Sequence, residues 1–98
     1  MVENFTINDR ELFNLLLGRS GGKTTMNIIN EILIQPRNAN QLSNILHIDY
    51  KTVIYHMKIL CKHDYVIREK FDNFYWYQPS EKLINNLDEY NFIKQNMD

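Results

Sequence analysis

The stretch from Asn38 to Lys62 constrains the fold of this chain more than any other. Asn38-Ala39-Asn40-Gln41 has the form of a capping box, in which the Asn38 side chain receives a first-turn amide and Gln41 reaches back. Leu42, Ile45 and Leu46 follow at helical spacing and are expected to face inward. His47-Ile48-Asp49 is then a three-residue turn, with Asp49 as N-cap of a helix from Tyr50 to about Lys62. Two short helices joined by so tight a turn cannot lie antiparallel. They cross steeply, as in a helix-turn-helix.

The flanks complete a single domain spanning 1–98. Asn8-Asp9-Arg10-Glu11 is a capping box for a first helix that Gly18 ends as a C′ residue. A second helix runs from about Lys23 to Ile34, with Ile28, Ile29, Ile32 and Leu33 at helical spacing, and Pro36 terminates it. After His63-Asp64 the period turns extended. Two β-rich runs, Tyr65–Phe71 and Phe74–Gln78, flank Asp72-Asn73, a pair that tolerates the positive φ of a type I′ turn. Tyr75 and Tyr77 are expected inward and Trp76 outward. Ser80 caps a last helix from Glu81 to about Lys94. The expected architecture is mainly α with a β-hairpin, in the order α-α-α-α-β-β-α.

The helix from Tyr50 carries the chemistry. Val53, Met57 and Leu60 form its core stripe, while Lys51, Tyr55, Lys58 and Lys62 lie opposite, with Thr52 and Ile54 beside them. Side chains near a helix N-terminus can reach base edges in a major groove, which places Lys51, Thr52, Ile54 and Tyr55 for reading. Lys58, Lys62, Arg37, and Arg68 with Lys70 on one face of the first strand, are cations suited to phosphates. Net charge is only −1, yet it is uneven: eight basic against four acidic residues between Arg19 and Lys70, three against eight in the two ends. Such a basic middle suits a polyanion.

Here the sequence resembles a known family. Asn38–Ser43, Ile45–Val53 and His56–Leu60, followed by Tyr65-Val66-Ile67 and a hairpin ending Tyr77-Gln78-Pro79-Ser80, follow the winged helix-turn-helix pattern of ArsR-like regulators over roughly Gly22 to Ser80. The chain looks most like the small archaeal-type members. The resemblance implies a homodimeric transcriptional regulator that binds double-stranded DNA, with residues 50–62 as recognition helix and 65–78 as wing. It departs from metal-sensing members, whose paired cysteines in the helix before the recognition helix have no counterpart in Leu42–Leu46.

Other chemistries find little support. Cys61 is the one cysteine, so a thiolate-rich metal site and an internal disulfide are excluded, and His56 and His63 beside it match no recognised ligand spacing. Gly18–Thr24 is one residue short of a phosphate-loop motif and follows a helix rather than a strand. No catalytic constellation is in place, so no enzyme, cofactor or metal is expected. No apolar run is long enough to span a membrane, which leads to the expectation of a cytoplasmic protein. The apolar end helices, about 8–17 and 81–94, exceed what a small core covers and are expected to form a homodimer. One rival is a protein–protein interaction module of the same fold within a transcription or replication assembly. Another is a single-strand binder that stacks bases on Trp76.

Overall fold

The computed structural model describes residues 10–96. The first capping box therefore lies partly outside the described residues. Helix α1 spans Arg10–Leu17, α2 Gly22–Ile34, β1 Arg37–Asn38, α3 Ala39–Leu46, α4 Tyr50–Lys62, β2 Val66–Phe71, β3 Phe74–Pro79, α5 Glu81–Asn85 and α6 Leu87–Gln95. The strands form one antiparallel sheet in the order β1-β3-β2. This is the expected winged helix-turn-helix, with two refinements. Arg37-Asn38, too short to show any periodicity, pairs with Tyr77 and Trp76 and anchors the hairpin to the start of α3. The last helix is broken at Asn86, whose side chain donates to Lys82 O at 2.8 Å and so competes with the helical ladder.

Local chemistry explains the joints. Gln41 N donates to Asn38 Oδ1 at 2.8 Å and Asn38 N to Gln41 Oε1 at 3.1 Å, closing the second capping box. α3 ends at His47 in the left-handed region (φ 57°), and Ser43 Oγ donates to Ile48 O at 2.6 Å to tighten the turn. Asp49 occupies the N-cap of α4 without a side-chain cap bond, its carbonyl receiving Val53 N at 3.0 Å. Asp72 and Asn73 both have positive φ, 58° and 70°, as the type I′ turn requires. Gly18 does not adopt the left-handed conformation; that geometry falls to Gly21 (φ 88°), the N-cap of α2. Gly22 is needed for space, because a Cβ there would lie 2.0 Å from Leu16 O.

One core joins every long element. Leu12 and Leu16 of α1, Ile28, Ile29 and Ile32 of α2, Leu42 of α3 and Val53, Met57 and Leu60 of α4 are buried together with Tyr65, Tyr77, Leu83, Tyr90 and Ile93. Ile45, expected inward, is exposed, because Ala39, Leu42 and Leu46 fill the inner face of so short a helix. Ser80 Oγ accepts from Leu83 N and donates to Asp64 O, fastening α5 to the turn after α4. Tyr90 places its hydroxyl 3.1 Å from Met26 O and 2.5 Å from Asn30 Oδ1, tying α6 to α2. Among the described residues no helix is long and apolar enough to cross a membrane.

Candidate nucleic-acid interface

The amphipathic pattern of α4 sets its two faces. Val53, His56, Met57 and Leu60 are buried; Lys51, Tyr55, Lys58 and Lys62 are exposed, and Thr52 and Ile54 lie half-buried between them. Lys51, Ile54, Tyr55 and Lys58 line one outward concavity with Tyr50. Turning toward the wing, a cleft of about 450 Å³ opens between α4, the start of α3 and the hairpin. Ile54, Lys58 and Arg68 meet there, with Tyr50, Tyr75 and the amide side chains of Asn38, Asn40 and Asn73. A second cleft, about 540 Å³, continues along the same helix past Lys58, Lys62, Cys61 and Arg68. Lys58 and Arg68 line both clefts, so the helix and the wing present a trough of two adjoining clefts in which Lys58, Lys62 and Arg68 outnumber the one acidic lining residue, Asp64.

Arg68 is held in place within it. Its guanidinium lies 4.0 Å from the centre of the Tyr75 ring, a cation–π arrangement. Register explains the contact: Arg68 pairs with Tyr77 and Lys70 with Tyr75, so all four side chains share one sheet face. Only Tyr77 of the two tyrosines is buried. Tyr75 is 45% exposed, and Trp76, expected as the exposed aromatic, is half-buried. The reason is β1, whose Asn38 pairs directly with Trp76. Burial pushes the Tyr77 hydroxyl and the Cys61 thiol above their usual ranges, so both stay protonated at neutral pH.

Two of the expected cations stand apart from the trough. Arg37 pairs with Glu31 at 3.1 Å with only 14% of its side chain exposed, because strand β1 turns it back toward α2. Lys70 is exposed on the wing but lines neither cleft. Reasoning on the sequence missed Tyr50, Asn38, Asn40 and Tyr75. Their place in the trough follows from the sheet register and the α3–α4 crossing, which no local pattern reveals.

The imidazoles serve the fold. His56 Nδ1 lies 3.0 Å from Thr25 Oγ1, which also accepts from Arg19 Nη2 at 2.6 Å. Desolvation, reinforced by Arg19, holds the imidazole below its ordinary value of 6.5. His63, the C-cap of α4, lies 2.5 Å from Glu11 Oε2, while Lys82 donates to Glu11 Oε1 at 2.7 Å and to His63 O at 2.8 Å. Glu11 thereby ties α1, α4 and α5 together. The Lys82 hydrogen bond foremost, with His63 adding to it against the opposing effect of burial, holds its carboxyl at about 2. Among the described residues no group of three His, Cys, Asp or Glu side chains is placed to hold a metal ion.

Acid sensitivity follows from these groups. Both have folded-state values below their ordinary ones, so their stabilisation is present at neutral pH and lost on acidification. The His56 share fades below pH 6.5, and the Glu11 share between pH 4.5 and about 2. With the Glu11 side chain 41% exposed, solvent screening leaves its share at about 1 kcal/mol. Urea unfolding followed against pH should therefore weaken in two stages, and Glu11→Gln should flatten the lower stage alone. A variant that retains the full lower stage would contradict the assignment.

No protein-family model matches the chain, and no curated protein matches it. Solved structures do. The transcriptional regulator BldR from Sulfolobus solfataricus superposes with a TM-score of 0.73 over 98% of this chain and 73% of its own, at 17% identity. A MarR protein from Peptoclostridium difficile gives 0.65 over 98% of this chain at 29% identity, and this chain covers 61% of its length. The transcriptional regulator HlyU from Vibrio vulnificus gives 0.65 over 99% of this chain and 96% of its own, at 14% identity. These likenesses establish the fold as that of winged-helix transcriptional regulators.

Proposed function

We propose that the protein is a sequence-specific transcriptional regulator that binds double-stranded DNA as a homodimer. The observation that carries this reading is the pair of adjoining clefts between the outer face of α4 and the wing, both lined by Lys58 of the helix and Arg68 of the wing. Lys51, Thr52, Ile54 and Tyr55 enter or line the major groove from the N-terminal half of α4. Lys58, Lys62 and Arg68 hold phosphates of the strand that runs between helix and wing, and Lys70, outside the trough, holds one farther along the wing, each neutralised phosphate releasing counterions. Arg37, already paired with Glu31, is the weakest of the proposed phosphate contacts. The resemblance of the sequence to ArsR-like regulators supports the same assignment of recognition helix and wing.

Fluorescence anisotropy against duplexes from the chain's own upstream region tests this. Binding should fall steeply with salt, and Lys51→Ala and Lys58→Ala should each weaken it and flatten the log–log salt slope by about one unit. Lys94→Ala, on α6, should leave the slope unchanged. If neither α4 variant alters the slope, this face does not meet the phosphates and the reading is wrong.

A further inference from the structure

The wing tip carries side chains that phosphate binding does not use. Phe71 and Phe74 pair directly across the strands, flank the Asp72-Asn73 turn, and are 70% and 50% exposed. A hairpin tip is usually polar, since exposed phenyl groups there bury nothing. The turn that holds them is tight, with both central residues in the left-handed region, so the rings project from a stiff support. Asn73 and Phe74 also border the cleft that contains Lys58 and Arg68, while the register sets the Phe71 and Phe74 side chains on the sheet face opposite Arg68 and Lys70, so cations and phenyl groups occupy the two faces of one wing.

We infer that the wing tip is an aromatic wedge for the minor groove, in which Phe71 and Phe74 pack on the sugar walls, open a flexible base step and bend the duplex. The inference rests on the DNA-binding reading above. Strand axes about 4.8 Å apart, with the van der Waals width of each chain added, already fill a groove about 6 Å wide, and two phenyl rings fit only if the groove opens. Opening it partly unstacks a step and bends the helix toward the major groove, as apolar wedges do elsewhere. Asp72 at the tip sharpens the choice of sequence. Its carboxylate is repelled most by the narrow, strongly negative minor groove of A-tracts, so the wedge selects pyrimidine–purine steps, which deform readily. Specificity would thus arise at base pairs that no side chain reads directly.

The test uses duplexes enriched from a randomised pool by the full chain, labelled at both ends with a donor and an acceptor dye. The wild-type chain should shorten the end-to-end distance. The double variant F71A/F74A should bind the same duplexes about tenfold more weakly, with an unchanged salt slope, and leave them straight. F71L/F74L should retain most of the bend, and D72N should gain affinity for A-tract flanks. Both phenylalanines are exposed, so melting of the variants should match the wild type. A double variant that binds and bends as the wild type does, or a wild-type chain that binds without bending, overturns the wedge and leaves the trough intact. A change of oligomeric state with unchanged binding overturns it in favour of a second copy. A wild-type chain that selects no duplex overturns the wedge together with the DNA-binding reading.

Discussion

Gly22→Ala should lower stability by about 3 kcal/mol, at the upper end for overpacking, since backbone rather than a flexible side chain must give way. The new Cβ would stand 2.0 Å from Leu16 O and 2.6 Å from its carbonyl carbon. Relief requires α1 to move off α2, and α1 contributes Leu12 and Leu16 to the core. Movement of α1 also loosens Glu11 from His63 and Lys82, so the C-terminal end of α4 loses a tether. Gly21→Ala meets no backbone atom but has to keep a φ of 88°, and should cost about 1 kcal/mol. Urea denaturation of the two variants measures the difference. Equal midpoints would show that the α1–α2 approach is softer than this geometry implies.

Disruption of the proposed dimer should have the largest effect on DNA binding. Phe13 and Leu17 stand one turn apart on α1 and are 47% and 40% exposed, while Leu12, Leu15 and Leu16 of the same helix are buried. In the homodimer reading these two residues meet the partner, and the two recognition helices address half-sites about one turn of DNA apart, ~34 Å. The double variant F13E/L17E should sediment as a monomer and bind a two-half-site duplex roughly 100-fold more weakly, the effective-concentration gain of linked sites being lost. Its affinity for a single half-site should be unchanged. A wild-type chain that sediments as a monomer, or a double variant that stays dimeric with full affinity, would refute this placement of the interface.

Much of the fold was legible because its joints are written in local chemistry. The Asn38–Gln41 capping box, the Asp72-Asn73 turn and the Val53–Met57–Leu60 stripe each depend on residues no more than about two helical turns apart, and each stands as expected. What was missed depends on distant partners. β1 exists because Arg37-Asn38 finds an open edge of β3, and that pairing is what covers Trp76 and leaves Tyr75 outside with Arg68. The left-handed residue falls at Gly21 rather than Gly18 because α2 must start directly against the end of α1. The exposure of the α4 cations follows from their spacing alone. Arg37 looked equivalent to them because Glu31, six residues earlier, reaches it only when the chain turns back after Pro36.

In the proposed function α4 and the wing together form one DNA-binding face. Amide chemical-shift mapping tests it most directly, by titrating a selected duplex into the isotope-labelled chain at low salt. The largest shifts should fall in residues 50–58 and 68–75, diminishing as salt is added, with the core of α2 unmoved. Shifts confined to α1, α5 and α6, or none at all, would contradict it.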